Sequence, residues 1–441
     1  MSAKENALLR LPLIALAIVA CSHLAYGQDA VSIRSEQSVD NRFLVAVPDF
    51  ATAPGKGALG IEMARVLSDD LVFSGLFAAL PPPSYPNNFV GFTKDPNQIN
   101  FPDWQAAGAE FLVHAYVTVD GDEIVSECRL FDVATGLQVV GKVLNIPDLS
   151  GQRRLAHKFS EEVIRYVDGT AGMATSQLCF SGGVTGGKEI YVSDYDGANA
   201  RPVTRHGSIS ILPQFGPKGL QIAYLSYKDR YPFLYILDTK SGVSTPLSRE
   251  VGLNVAPAWA PSGQQLAVVL SKDANSEIYL VNADGSNKRR LTNNKAVDTS
   301  PTFSPDGTQI AFVSERAGTP QIFAMGLGGD NVRRLSFQGG RSYDPAWSSD
   351  GKSIAYVAQR SGEGMEIYVV NVNDTNNPRR ITESNGTNEA PSWSADSRHI
   401  AFMSTRTGRS QLWTANAETG EQRPVPNISI AAQGPDWGPR R

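Results

Sequence analysis

Two glycine-rich stretches have the spacing of phosphate sites. Gly55-Lys-Gly57-Ala-Leu-Gly60 is a literal G-x-G-x-x-G opening a helical pattern, the arrangement that lets backbone N–H groups approach a dinucleotide pyrophosphate. That chemistry also needs a second strand ending in an acid about 20 residues on. Here the helical pattern runs instead into Ser74-Gly-Leu-Phe77 and a triple proline. Gly182-Gly-Val-Thr-Gly-Gly187-Lys188-Glu189 comes close to a phosphate loop, but Glu stands where a magnesium-binding hydroxyl is required. The Ile190-Tyr-Val-Ser193 that follows reads as a strand, whereas a phosphate loop leads into a helix whose N-terminus faces the anion. The first stretch therefore reads as a flexible loop leading into the helix and the second as a glycine-rich hairpin, and no cofactor is expected.

Catalytic side chains are as sparse. No Gly-x-Ser-x-Gly nucleophile elbow occurs, and His114, His157, His206 and His399 are scattered, with no His-Glu-x-x-His to anchor a metal. The expectation is a protein that is not an enzyme, with a propeller-type hydrolase or a sugar-binding or lyase propeller as the alternatives. A formal charge of -4 argues against a nucleic-acid partner, which requires a concentrated basic surface. The Arg-Arg pairs at 289, 333 and 379 read as outer-edge charges that keep strands of different molecules apart.

What must position any functional residue is a repeat. Pro-x-aromatic recurs at Pro213, Pro257, Pro301, Pro345, Pro391 and Pro435, with spacings of 44, 44, 44, 46 and 44 residues, the period of a propeller with four strands per blade. Each unit reads as a strand ending in Pro-x-Trp/Phe, a tight Asp-Gly turn as at Asp306-Gly307, an Ile-Ala-aromatic strand, an Ile-Tyr-x-Val strand, and a polar fourth strand. One blade cannot bury both its faces, so blades stack and the repeated aromatic fills the space between neighbours. Residues 178–204 supply strands two to four of a blade without a first, and Pro435-Asp-Trp437 supplies a first strand with nothing after it. Joined to five complete repeats they make six blades.

Residues 28–172 lack the period and read as a small α/β domain with a mixed sheet: a strand at Phe43–Val47, a helix at Gly57–Phe73, strands at Glu110–Val119, Glu123–Asp132 and Leu137–Leu144, and a helix at Gln152–Val167. Leu80 to Pro102 reads as a long irregular loop. The fold class expected is an α/β N-terminal domain followed by an all-β six-bladed propeller, residues 173–441. Residues 1–27 have Lys4 and Arg10, an apolar run from Leu11 to Ala20 and the small-residue site Ala25-Tyr-Gly27, the layout of a secretory signal too short to span a bilayer. Cys21 offers a rival lipoprotein site. Beyond the leader only Cys128 and Cys179 remain, more simply read as free buried thiols than as a disulfide framework.

Alternating strand direction brings two sets of loops to one ring face. Lys228, Lys272, Arg316, Arg360 and Arg406 follow second strands. Asn254, Asp298, Thr299, Tyr343, Asp344, Asn388, Glu389 and Gln433 lie at the start of first strands. The first set repeats and suits structural pairing between neighbouring blades. The second varies from blade to blade, as binding residues on a rigid scaffold do, and with Arg316 and Arg360 makes a mixed polar and aromatic rim suited to a protein partner.

With a leader, a small α/β domain and a propeller of Ser-Pro-Asp-Gly-x-x-Ile-Ala-Phe repeats, the chain resembles the TolB family of the Tol-Pal system. Val47-Pro-Asp-Phe50, Asp69-Asp-Leu71, Ser74-Gly-Leu-Phe77 and Val192-Ser-Asp-Tyr-Asp-Gly197 carry the resemblance further. It implies a non-catalytic periplasmic protein that binds the Pal lipoprotein on the open propeller face and the C-terminal domain of TolA through its extreme N-terminus, supporting envelope constriction. By position, the Pal contacts implied include Asn254, Ala256 and Thr299. The family pattern has His where this chain has Leu253 and Glu where it has Ser300. For TolA the implied segment is the stretch of Asp29, Val31 and Ile33. Its alternation of apolar and polar residues suits addition to an exposed sheet edge.

Overall fold

The structure is a computed structural model that describes residues 42–440, apart from 90, 149–150, 171, 184–186, 339, 361, 363 and 384–385. The leader and the segment of Asp29, Val31 and Ile33 lie outside the described residues.

The first sheet is built on three long antiparallel strands, β4 (Phe111–Asp120), β5 (Glu123–Asp132) and β6 (Gln138–Ile146). β1 (Phe43–Ala46), β2 (Ala51–Thr52) and β3 (Phe77–Ala79) add parallel pairings. It is therefore mixed, as its alternation and turns predict. Helices α1 (Gly57–Phe73) and α3 (Gln152–Asp168) cover one face, burying Met63, Leu67, Leu71, Phe159 and Val163 against Val45, Val113 and Leu130. The stretch from Leu80 is more ordered than its prolines suggest. It includes α2 (Phe101–Ala106), whose Trp104 packs on Leu80, Leu112 and Phe131 over the opposite face. A six-residue helix with Pro at its second position has too few turns for periodicity to reveal.

The glycine motif now has a structural reason. A Cβ at Gly60 would sit 2.1 Å from the Phe50 carbonyl oxygen, so the third glycine lets α1 approach the chain leaving β1. Cys128 and Cys179 are buried and unbridged, with burial pushing the Cys128 thiol up to about 12.

Six four-stranded sheets follow. Ala432–Trp437 pairs antiparallel with Gln177–Gly182 in the last of them, so the sixth blade joins the C-terminal strand to three strands from the start of the ring. Blade cores form between neighbours. Trp259, Leu266 and Val268 of the second blade pack on Ala223, Leu225, Leu234 and Ile236 of the first.

Each first strand carries the same deformation. The residue before the repeated proline, namely Leu212, Ala256, Ser300, Asp344, Ala390 or Gly434, has φ between 46° and 55°, and the register with the second strand slips there in all six blades. A residue before proline ordinarily takes an extended conformation. The left-handed residue is the extra one of a bulge, which bends the innermost strand. The residue after the proline can then reach the next blade: the Trp259 N–H donates to Gln214 Oε1 at 2.9 Å, the Trp437 N–H to Ser392 Oγ at 2.9 Å, and the Phe215 N–H to Asp436 Oδ2 at 2.7 Å.

The arginine pairs are tied in, not free edge charges. Arg289 and Arg379 reach the Leu327 and Glu418 carbonyls of the following blades. Arg290 and Arg380 turn back to the carbonyls of Thr292 and Thr382 and pair with the buried Glu277 and Glu366. A guanidinium has five donors in a planar fork, enough to staple two strands at once.

Candidate protein-interaction face

The N-terminal domain contacts the ring through turns joining first to second and third to fourth strands. Asp70 of α1 is the polar centre, bonded to His157 Nδ1 at 2.8 Å, Ser160 Oγ at 2.8 Å and Tyr195 Oη at 2.6 Å. Arg153 pairs with Asp196, and Arg398 with Asp168. The other ring face, where second strands end and first strands begin, takes no part in these contacts.

The residues read from sequence as the rim of that free face divide by depth. Asn254, Asp298 and Asn388 start first strands and are fully buried. Asn254 accepts from Ser248 Oγ and the Glu250 N–H and donates to the Glu250 carbonyl, closing the loop between the first and second blades. Asp298 pairs with Arg316 at 2.9 Å, and Asn388 Oδ1 accepts from Arg406 at 2.9 Å. These three brace the face from beneath and are not its surface, because an amide or carboxylate at a blade entrance satisfies backbone groups no ladder reaches. Ala256, Thr299, Tyr343, Asp344 and Glu389 continue along the innermost strands and are partly exposed. Burial pushes the Asp344 and Glu389 carboxyls upward, and Glu389 is raised further by repulsion from Asp344.

The repeated basic residues pair within their own blades, not across to neighbours as the repeat suggests. Lys228 sits over the Tyr235 ring at 4.0 Å, Arg360 over Tyr368 at 4.9 Å and Arg406 over Trp413 at 4.2 Å. Each cation caps the aromatic of its third strand, a contact worth about 0.5 to 1 kcal/mol when exposed. Arg316 caps Phe312 and Phe323 as well as binding Asp298.

What sequence reasoning missed is apolar. Tyr227, Tyr231, Val251, Leu253, Val297 and Phe337 occupy the connections of the first to fourth blades on this face, and all are exposed, Val251 at 87% and Tyr231 at 65%. Ion pairs flank them: Arg249 with Asp229 at 2.5 Å and Lys288 with Glu250 at 3.3 Å. An apolar centre with a charged rim is the composition of a protein-binding patch. The available signal was large apolar residues in connections whose turns do not require them. Among the described residues no group of three His, Cys, Asp or Glu could hold a metal ion, and no helix is long and apolar enough to cross a membrane.

Fold and site together define a two-domain propeller protein whose open face carries an exposed apolar band flanked by ion pairs. The profile of the TolB beta propeller domain matches residues 169–365 and 344–441, and that of the TolB amino-terminal domain matches residues 31–139. The chain belongs to the TolB family. The Tol-Pal system protein TolB of Ruegeria sp. (strain TM1040) is 34% identical over 199 residues, 44% of each chain. That of Geobacter sulfurreducens is 34% identical over 165 residues, 37% of each. The chain thus spans about half or less of the length of the curated relatives it matches. The crystal structure of TolB from Acinetobacter baumannii superposes with a TM-score of 0.80 at 25% identity, covering 91% of this chain and 97% of that one.

Proposed function

We propose that this chain is a non-catalytic periplasmic interaction protein of the Tol-Pal system, binding the Pal lipoprotein through the open propeller face and the TolA C-terminal domain through its N-terminal segment. In that role it supports outer-membrane integrity and constriction during cell division. The observation that carries the reading is the band of exposed Tyr231, Val251, Leu253 and Phe337 flanked by ion pairs. A few such side chains usually dominate the energy of a protein interface. Asn254 and Asp298 hold loops that present this band and Asn388 braces the same face at the fifth blade, while Ala256, Thr299, Tyr343, Asp344 and Glu389 extend the surface toward the ring axis.

Calorimetric titration of the full chain without its leader against soluble Pal and the TolA domain tests both arms. Deleting Gln28 to Ile33 is expected to abolish TolA binding and leave Pal binding intact. Full TolA binding by the deleted protein, or Pal binding indifferent to changes on the open face, would refute the respective arm. Turnover of peptide or glycan substrates would restore the enzymatic alternatives.

A further inference from the structure

The ring axis opens on the side of the N-terminal domain as a cavity of about 310 Å³, to which all six blades contribute. That is about twice the roughly 150 Å³ apolar cavity that holds a benzene ring. Its wall includes the whole set of repeated aromatics, Phe215, Trp259, Phe303, Trp347, Trp393 and Trp437, with the prolines and serines of the adjoining turns. One ionisable side chain stands among the lining residues, Asp436.

Its position after the repeated proline is held by Gln214, Ala258, Thr302, Ala346 and Ser392 in the other blades, so the packing repeat does not demand a carboxylate. One oxygen accepts the Phe215 N–H at 2.7 Å and the other faces Ser392 Oγ at 3.3 Å. Among the described residues no cation compensates it. Arg440, four residues on, is spent on the Ala395 carbonyl, and the titratable neighbour across the strand pair is the buried Cys179 thiol, itself pushed well above its ordinary value. Burial raises the Asp436 carboxyl to about 7. Trp259 adds a buried indole N–H with no acceptor among the described residues. An uncompensated carboxylate in low-dielectric surroundings is costly until a counter-charge arrives, and aromatic walls favour cations over anions.

We propose that this axial cavity is a binding site for an organic cation, a compact alkylammonium or guanidinium head carried on a short apolar body. The head pairs with the Asp436 carboxylate and the body displaces water from the aromatic wall. The site lies at the end of the ring away from the open face, so it does not depend on the partner assignments above.

The test uses the full chain without its leader, titrated with n-butylammonium and n-butylguanidinium chloride by calorimetry and tryptophan fluorescence. Four of the six tryptophans line the cavity, so occupancy is expected to change the emission. Saturable binding is expected for both cations, with none for n-butanol or for sodium chloride at equal ionic strength. Asp436→Asn, which keeps an acceptor for the Phe215 N–H, is expected to weaken binding at least tenfold. Should that variant fold poorly, the unsubstituted protein remains diagnostic: affinity is expected to rise as pH passes upward through about 7 and the carboxyl ionises. Binding of butanol as tight as of the cations, affinity indifferent to Asp436→Asn and to pH, saturation by calcium chloride alone, or no saturable binding by the folded protein would each overturn the proposal.

Discussion

His399 Nε2 lies 2.8 Å from the carbonyl oxygen of Phe73, the last residue of α1, while its Nδ1 lies 3.0 Å from the Asp396 carboxylate. Both partners are acceptors, so each ring nitrogen of the buried imidazole faces an accepting oxygen, one from the N-terminal domain and one from the propeller. It stacks on the Phe73 ring with centroids 4.3 Å apart, and the Arg423 guanidinium lies 3.5 Å from that ring. Phe73 is therefore clamped between the His399 ring and the Arg423 guanidinium of the propeller. Phe73→Ala is expected to cost about 3 to 5 kcal/mol and to let the two domains unfold in separate calorimetric transitions where the parent shows one. A single transition at the original temperature would show that the clamp does not couple them.

His157 makes that junction sensitive to pH. Burial works to lower its pKa, but the Asp70 carboxylate and the hydrogen bond between them outweigh it, and Asp196 adds to the rise while Arg153 opposes it. A histidine raised on folding contributes stability that is fully present below its unfolded value, near 6.5, and lost as pH rises through the folded one. Chemical denaturation is expected to show stability falling above about pH 6.5, with a flatter profile in His157→Gln.

Asp436 acts in the same direction through the opposite chemistry. Its carboxyl is raised to about 7 on folding, so the folded ring is most favoured below the unfolded value near 3.9 and loses stability until about pH 7. Asp436→Asn is expected to be more stable than the parent at pH 8 by about 2 kcal/mol, allowing for water in the channel. Denaturant midpoints at pH 5 and pH 8 separate the two proteins; parallel profiles would show that the carboxyl stays wetted.

Depth on the open face separates two kinds of substitution. Asp298→Ala strands Arg316 over a buried vacancy and is expected to cost about 3 kcal/mol. Val251→Asp, at an exposed site, is expected to leave the melting temperature unchanged and weaken the proposed Pal binding by about 2 kcal/mol. Paired melting and titration measurements check this, and the reverse pattern would place the interface deeper in the ring.

Ring closure depends on the last strand. Removing residues 434–441 takes away the pairing of Asp436 and Trp437 with Cys179 and Leu178, half of the register with Gln177–Gly182, and, with Trp437, the indole that donates to Ser176 Oγ at 2.7 Å. A loss of about 3 to 5 kcal/mol is expected for the tryptophan alone. Thermal unfolding of the truncated protein at the parent temperature would show that the sixth blade is closed by other contacts.

How much of this was legible depended on range. The 44-residue spacing, the strand alternation and the split sixth blade are local patterns repeated in register, and stacking follows because a single blade leaves apolar faces bare. The helix Gly57–Phe73 and the strand Glu123–Asp132 were readable because each is long enough to show its period. α2 was not, because six residues show too little of one.

By itself, the chain's order of residues determined six blades, their closure, the mixed sheet and which loops share a face. Tertiary structure alone decided which of those loop residues are surface. Asn254, Asp298 and Asn388 look like contact residues in sequence because they are polar and vary, yet each is drawn inward by backbone groups or a basic side chain distant in sequence. Val251 and Tyr231 look like core residues but have no blade to pack against. Whether a side chain is buried depends on what the neighbouring blade and loop place over it, and for these loops that neighbour lies outside any local pattern.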